Sequence, residues 1–522
     1  MPETSLSPHE PQAGRRLSIA LLPLDERPVN IALPVGIAAI AGANLVLPPK
    51  DLWPAIREPG NADALAAWLL AVAPEVDAIV ASIDTLAFGG LIAARTTQDN
   101  LVTALQRTAT LTTLREQHPD LPIAAVSLVM RASNSYNPQE EPLYWAEVGK
   151  ELHQLGALHH RDFLVQAGAL ADDGNTARLD ALRGSLQPEV LADFELRRLR
   201  NHQVNLNALA LASSGVIDPL LITADDTAQY AAGSAEQLWL AQWMRVLPRN
   251  GQVLMYPGAD EVAAVLVARQ LSRLTGAVAR FQLRTADEAG LERIAKYENT
   301  SIRIAVDRQL RACGAELTDD TSAAVLVIHT PETDQRDFAH SAIDFSEADH
   351  AAATATADLV TSLIAGGWNV ALADLRYANG GDPLLVDLLV ERGIVLQLAA
   401  YGGWNTAGNS LGSVVAAAAA AQIGATAGTL DQRAQRNMLL HRLLEDFCYQ
   451  SVIRPPLEQR LDAEFGTHNF ASAGIEAGVI DDVQPKLVAA LAALAPEAAV
   501  SGIGFPWHRS FEIDFRIAER GR

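Results

Sequence analysis

Short apolar runs recur along the chain. Each ends in polar or Gly/Pro residues and is followed by a segment of helical periodicity. The runs are Ser18–Leu24, Asn44–Leu47, Ala78–Ser82, Ile123–Val129, Leu220–Thr223 and Gln252–Tyr256. They do not alternate apolar with polar positions, so each reads as a strand buried on both faces. Intervening segments such as Ala64–Val72 and Leu101–Gln117 are long enough for crossover helices. Strands alternating with helices imply a parallel sheet. A second set, Ala323–His329, Asn369–Asp374 and Val395–Ala400, predicts another α/β unit from about residue 295. Residues 413–500 read as mostly helical, with an Ala-rich run and a helix over Arg433–Gln450. The alternation over Phe511–Phe515 predicts an edge strand, antiparallel if it closes an existing sheet.

The expected fold is α/β: a parallel barrel or barrel-like sheet, a second smaller α/β unit and a helical C-terminal region. The expected bounds are a disordered tail over 1–16 and a barrel-like catalytic domain over 17–290. The second unit follows over 291–412, and the helical region with its terminal edge strand over 413–522. An open doubly wound sheet is the alternative.

The 522 residues exceed what one hydrophobic core holds. Asp and Glu number 62 against 40 Lys and Arg, a net charge of −22 that repels phosphate backbones and anionic membrane surfaces. The expected partner is a small-molecule or oligosaccharide substrate, with no nucleic acid and no membrane. Cys313 and Cys448 stand in no CxxC or Cys/His spacing, which excludes a structural zinc site and predicts two free thiols. Together with an N-terminus lacking an apolar core before Arg15, this predicts a soluble cytoplasmic protein. The Ala-rich stretch near Val414 reads as too short to span a bilayer.

Ligands of parallel α/β folds bind at the carboxyl ends of the strands. Here those ends are rich in acids. Asp25-Glu26-Arg27 follows the first run, and Asp84 and then Arg95 follow the third. Arg131 and Glu140-Glu141 follow the fourth, Asp225-Asp226 the fifth, and Asp260-Glu261 the sixth. Such an acid either caps the next helix or enters a site; five acidic strand ends favour a site. Two adjacent acids suit carbohydrate chemistry, because like charges held close raise one pKa and create a general acid beside an ionised partner. The same acids suit a divalent cation bound through oxygen. The expected catalytic residues are Asp225 and Asp226, with Asp226 the general acid and Asp84 or Glu261 the alternative partner.

Substrate binding is expected from Asp25, Arg27, Arg95, Arg131 and Asp260 at the strand ends. Asn201, on a helix face with Asn205, is expected to join them. The Gly-rich stretches Asn379–Asp382 and Tyr401–Gly412 add Asp382, Trp404, Asn405 and Asn409. Glycines permit close backbone approach, and a Trp beside amides suits a sugar-stacking platform. The nucleotide signatures GxGxxG after a strand and GxxxxGK[ST] are absent, as is a GxSxG elbow. No cofactor is expected beyond a possible divalent cation, and no metal ligands are assigned. The expected function is a carbohydrate hydrolase working by carboxylate acid/base catalysis. A divalent-metal-dependent hydrolase or lyase, and a non-catalytic sugar-binding protein, are the alternatives.

The motifs together resemble a bacterial family known as domain of unknown function 4127. They are PLDERPVN from Pro23, SIDTLAFGGLIAAR from Ser82, MRASNS and EEPLYW from Met130, RNHQVN, ITADDTAQY, YPGADE, ADLRYANGGD, YGGWNTAGNSLG and FPWHRSFE. The resemblance implies that one unit spans about residues 18–515, with the C-terminal motifs completing the same site. The Asp225-Asp226 strand end is also similar to the paired acids of barrel hydrolases acting on N-acetylhexosaminides.

Overall fold

The computed structural model describes residues 15–225, 227–248, 252–339, 342–470 and 474–519. Six parallel strands form the first sheet: β1 (Ser18–Leu22), β2 (Asn44–Val46), β3 (Ala78–Ser82), β4 (Ile123–Val129), β5 (Leu220–Ala224) and β6 (Val253–Pro257). Their order is β2-β1-β3-β4-β5-β6. Five more make a second parallel sheet: β7 (Arg280–Thr285), β8 (Glu316–Leu317), β9 (Ala324–His329), β10 (Val370–Asp374) and β11 (Ala400–Gly402), in the order β11-β10-β9-β7-β8. Counted from its own first strand, each sheet reads second, first, third, fourth, fifth, and the first sheet adds a sixth. The molecule thus contains the same doubly wound topology twice.

This corrects the barrel expectation. The first sheet is open, with β2 and β6 at its edges. The chain runs outward from β1 in both directions, and that reversal leaves two edges. Local patterning cannot reveal it, because a barrel strand and a doubly wound strand are both apolar on two faces. β7 lies before residue 290, yet it pairs with β9 in the second sheet. Of the run Val395–Ala400, residues Val395–Gln397 form a 3-10 turn and only the end leads into β11. The expected C-terminal edge strand is β13 (Asp514–Glu519), which pairs antiparallel with β12 (Ala498–Gly504) in a ribbon of its own.

Residues of period two explain the unbroken apolar runs. Ile19 and Leu21 of β1 enter one core, Ala20 and Leu22 another. The first of these cores also takes Leu326 and Ile328 of β9 and Ala371 and Ala373 of β10. Between the sheets lie the helices Pro28–Ile40, Val262–Thr275, Ile302–Cys313 and Ala407–Ala427. One apolar layer therefore joins both units. Ala407–Ala427 is its centre, its small side chains allowing neighbours on every side. At 21 residues it is longer than the sequence reading allowed and is apolar enough to cross a membrane, but 78% of its most apolar window is buried inside the protein. Helices on the outer faces, among them Pro188–Ser213 and Glu347–Ala365, cover the other side of each sheet.

Candidate functional site

A cleft of about 610 Å³ opens where the carboxyl ends of both sheets meet. The first sheet contributes Arg27 after β1, Leu91 after β3, Arg131, Asn134 and Glu140 after β4, Asp225 and Thr227 after β5, and Asp260 after β6. The opposite wall comes from Lys296 and Tyr297 after β7, Ala339 after β9, Asn379 after β10 and Asn405 after β11. Arg509 and Phe511, from the segment leading into β13, complete it. Strand ends at the crossover of a doubly wound sheet leave such a crevice, and here two of them face each other.

Arg27 is the hub of the floor. Its guanidinium donates to Asp25 Oδ2 at 2.7 Å, to Asp260 Oδ1 at 2.5 Å and to Glu512 Oε1 at 3.0 Å. Asp25 does not reach the cleft; it accepts from Asn30 and Arg27 and fixes the turn after β1. Asp260 is 5% exposed, and Asn405 Nδ2 donates to its Oδ2 at 3.0 Å. Asn409 Oδ1 accepts from the Asp260 backbone N–H at 3.2 Å. Burial pushes the Asp260 carboxyl up to about 7, against the opposing pull of Arg27.

Asp225 has a different setting. Arg95 Nη2 lies 2.6 Å and Arg131 Nη1 3.7 Å from its Oδ2. The same two guanidiniums hold Glu140, with Arg95 at 3.4 Å and Arg131 at 2.9 Å, and Arg509 adds a third. Burial opposes the ionised form of Glu140, but Arg509, Arg131 and Arg95 together hold it well below the usual carboxylate range. Asp226 lies outside the described residues.

The remaining expected residues lie beneath or beside the cleft. Asp84 is in the first turn of the helix Ile83–Phe88, which Ser82 caps, and its Oδ2 accepts from Leu128 N–H. Burial pushes its carboxyl up to about 7. Glu261 is fully buried, accepts from Gln309 Nε2 at 2.9 Å and is pushed by burial up to about 8. Asn201 spends its amide on the Ala94 carbonyl and the Met130 sulfur, so its helix face looks into the packing. Asp382 caps the helix Pro383–Glu391 through Leu384 N–H and pairs with His329 Nε2 at 3.0 Å, buried behind the second wall. Trp404 is 2% exposed and packs in the core against Phe511, so it offers no stacking face. Its burial follows from the glycines around it: a Cβ on Gly403 would lie 2.8 Å from Gly381 Cα.

Sequence reasoning missed Lys296, Tyr297, Asn379, Arg509 and Phe511 as site residues. Backbone strain marks this wall. Tyr297, Asn379 and Asn405 have φ of 68°, 60° and 61°, and Trp507 and His508, just before Arg509, have 55° and 52°. Left-handed non-glycine residues cluster where structure is held for function. Asp337 ties this wall together, accepting from Tyr297 Oη at 2.7 Å and Asn379 Nδ2 at 2.9 Å, with Lys296 at 3.2 Å. A π-helix, Leu443–Ile453, anchors the loops behind it. Asp446 accepts from the backbone N–H groups of Gly381 and Gly403, and Gln450 donates to the Phe511 carbonyl. Long π-helices are rare and recur at functional sites.

The model of a family described as "Protein of unknown function (DUF4127)" matches residues 19–516. The chain belongs to this family. The match starts within β1 and ends within β13, so both sheets, the π-helix and the C-terminal ribbon lie inside one family unit. No curated protein matches the chain. Among the described residues, no three His, Cys, Asp or Glu side chains gather as a metal site would require.

Proposed function

We propose that the protein is a hydrolase acting on a carbohydrate, with Asp260 as general acid and Asp225 as its partner carboxylate. The observation that carries this reading is the contrast between two carboxylates from neighbouring strands that line one cleft. Asp260 is buried with its carboxyl raised to about 7, and Asp225 is salt-bridged to two arginines. Pairs of acids whose environments diverge in this way divide the acid and base roles of hydrolysis. The acid role assigned to Asp226 from the sequence thereby passes to Asp260.

The rest of the lining supports a sugar or an oligosaccharide. Asn134, Asn379, Asn405, Ser133 and Thr227 supply amides and hydroxyls, and Phe511 and Tyr297 supply rings. Set among the arginines and carboxylates of the same cleft, such oriented groups would fix a small ligand's position and give the site its specificity. In the reaction, Asp260 would protonate the leaving glycosidic oxygen. Asp225 would activate water or stabilise charge at the anomeric carbon. The test is hydrolysis of aryl glycosides and oligosaccharides by the wild type and by Asp260→Asn. Loss of turnover in the variant, with the fold retained, supports the assignment; equal rates refute it.

A further inference from the structure

We propose that Glu512 is a positioning residue for the acid: bonded to Arg27 and Arg509 together, it shares the guanidinium that holds Asp260 and offsets its pull on that acid. This rests on the reading of Asp260 as general acid. Glu512 comes from the far end of the chain, 485 residues after Arg27, and is 2% exposed. Its Oε1 accepts from Arg27 Nη1 at 3.0 Å and from Arg509 Nη2 at 3.2 Å. Both guanidiniums also lie over the Trp507 ring, at 4.5 Å and 4.7 Å from its centroid.

The segment that delivers Glu512 is built to stay in place. Trp507 and His508 are both held in the left-handed region, a conformation that persists only when neighbours over-determine it. Those neighbours belong to both units. Trp507 Nε1 donates to Glu26 Oε1 at 2.6 Å, and Gln139 Nε2 donates to the Trp507 carbonyl. From the π-helix, Tyr449 donates to the Ser510 carbonyl and Gln450 to that of Phe511. The C-terminal segment thus bridges the first sheet's loops and the second unit's anchor, with Glu512 at the bridge's end.

The chemistry of the contact is electrostatic. Asp260 faces Arg27, Glu512, Asp25 and Asp225, with Glu261 next in the chain and Asn405 on its outer oxygen. Glu512 faces Arg27 and Arg509, with Glu445 and Tyr449 from the π-helix in range. Among the described residues, Arg27 is the only cation bonded to Asp260, and it favours the ionised form. A carboxylate on the other side of Arg27 offsets that pull and repels a charge on Asp260 directly. Removing the Glu512 charge therefore lowers the proton affinity of Asp260.

The test is titration of the full-length protein carrying 13C-carboxyl aspartate, with the Asp260 resonance identified by its loss in Asp260→Asn. The wild-type midpoint is expected at about 7. In Glu512→Gln it moves down by about one pH unit, and in Glu512→Asp it stays near the wild-type value. An unchanged midpoint in Glu512→Gln overturns the proposal. Should that variant not fold, Arg509→Gln and the double variant Arg509→Gln/Glu512→Gln, which removes the paired charges together, read the coupling by difference. The midpoint of the double variant is expected below that of Arg509→Gln, and equal midpoints overturn the proposal. The titration needs no substrate, so its outcome stands apart from the activity of Asp260→Asn, which tests the hydrolase reading.

Discussion

Arg27 and Asp260 lie 233 residues apart in the chain, and Nη2 of one is 2.5 Å from Oδ1 of the other. The contact joins the first and last strands of one sheet at the bottom of the cleft, and the segment carrying Glu512 closes over it. Replacing Arg27 would leave Asp25, Asp260 and Glu512 buried without their shared counter-charge. Breaking a buried pair from one side costs about 3–5 kcal/mol. Arg27→Gln is therefore expected to lower unfolding stability by at least that range, measured by chemical denaturation at neutral pH. A loss under about 1 kcal/mol would mean that the network is not a structural hub.

The raised proton affinity of Glu261 predicts a pH-dependent stability. Its pKa moves from 4.5 to about 8 on folding, because burial penalises the ionised form. The folded state then binds more protons than the unfolded state between those values, so stability falls as pH rises through that window. Glu261→Gln keeps the oxygen that accepts from Gln309 and removes the charge. Its stability relative to wild type should rise between pH 5 and pH 9, by on the order of a few kcal/mol. Parallel stability curves for the two proteins would show that Glu261 does not titrate in this range.

Trp404 and Phe511 lie with ring centroids 6.1 Å apart and are predicted to separate by phenotype. Trp404 is core, so Trp404→Ala should cost about 3–5 kcal/mol of stability. Phe511 lines the cleft, so Phe511→Ala should raise KM roughly tenfold, the worth of a ring's apolar contact. Thermal melts and steady-state kinetics on both variants check this. A Trp404→Ala protein of full stability and weakened binding would restore the stacking role.

Much of the fold was legible because its signal is local. Strands such as Ala78–Ser82 are apolar on both faces and bounded by polar loops, so they stand out singly. Strand order is not a local property, and nothing near β1 tells that β2 lies on one side and β3 on the other. β7 escaped because only Phe281 and Leu283 of its sequence, RFQLRT, are apolar. Among site residues, Asp225 and Asp260 were visible because acids follow strands. Tyr297, Lys296 and Arg509 were not, because they sit on irregular loops whose meeting is tertiary. Trp404 misled for the opposite reason: amides and glycines around a Trp look like a surface, yet here the glycines bring two loops together over it. Asn201 misled because its partner is a backbone carbonyl, which leaves no trace in sequence.

Asp260 is proposed to supply the proton in carbohydrate hydrolysis. Its pKa of about 7 predicts that kcat/KM holds at acid pH and falls as Asp260 ionises. General acid participation is typically worth about 10²–10⁴-fold. The most direct measurement is the pH profile of kcat/KM for wild type and Asp260→Asn, on whichever aryl glycoside or oligosaccharide the wild type cleaves. An alkaline limb near pH 7 is expected in the wild type, and in the variant a rate lower by about 10²–10⁴-fold with that limb gone. A wild-type rate in Asp260→Asn with the alkaline limb intact would contradict that assignment.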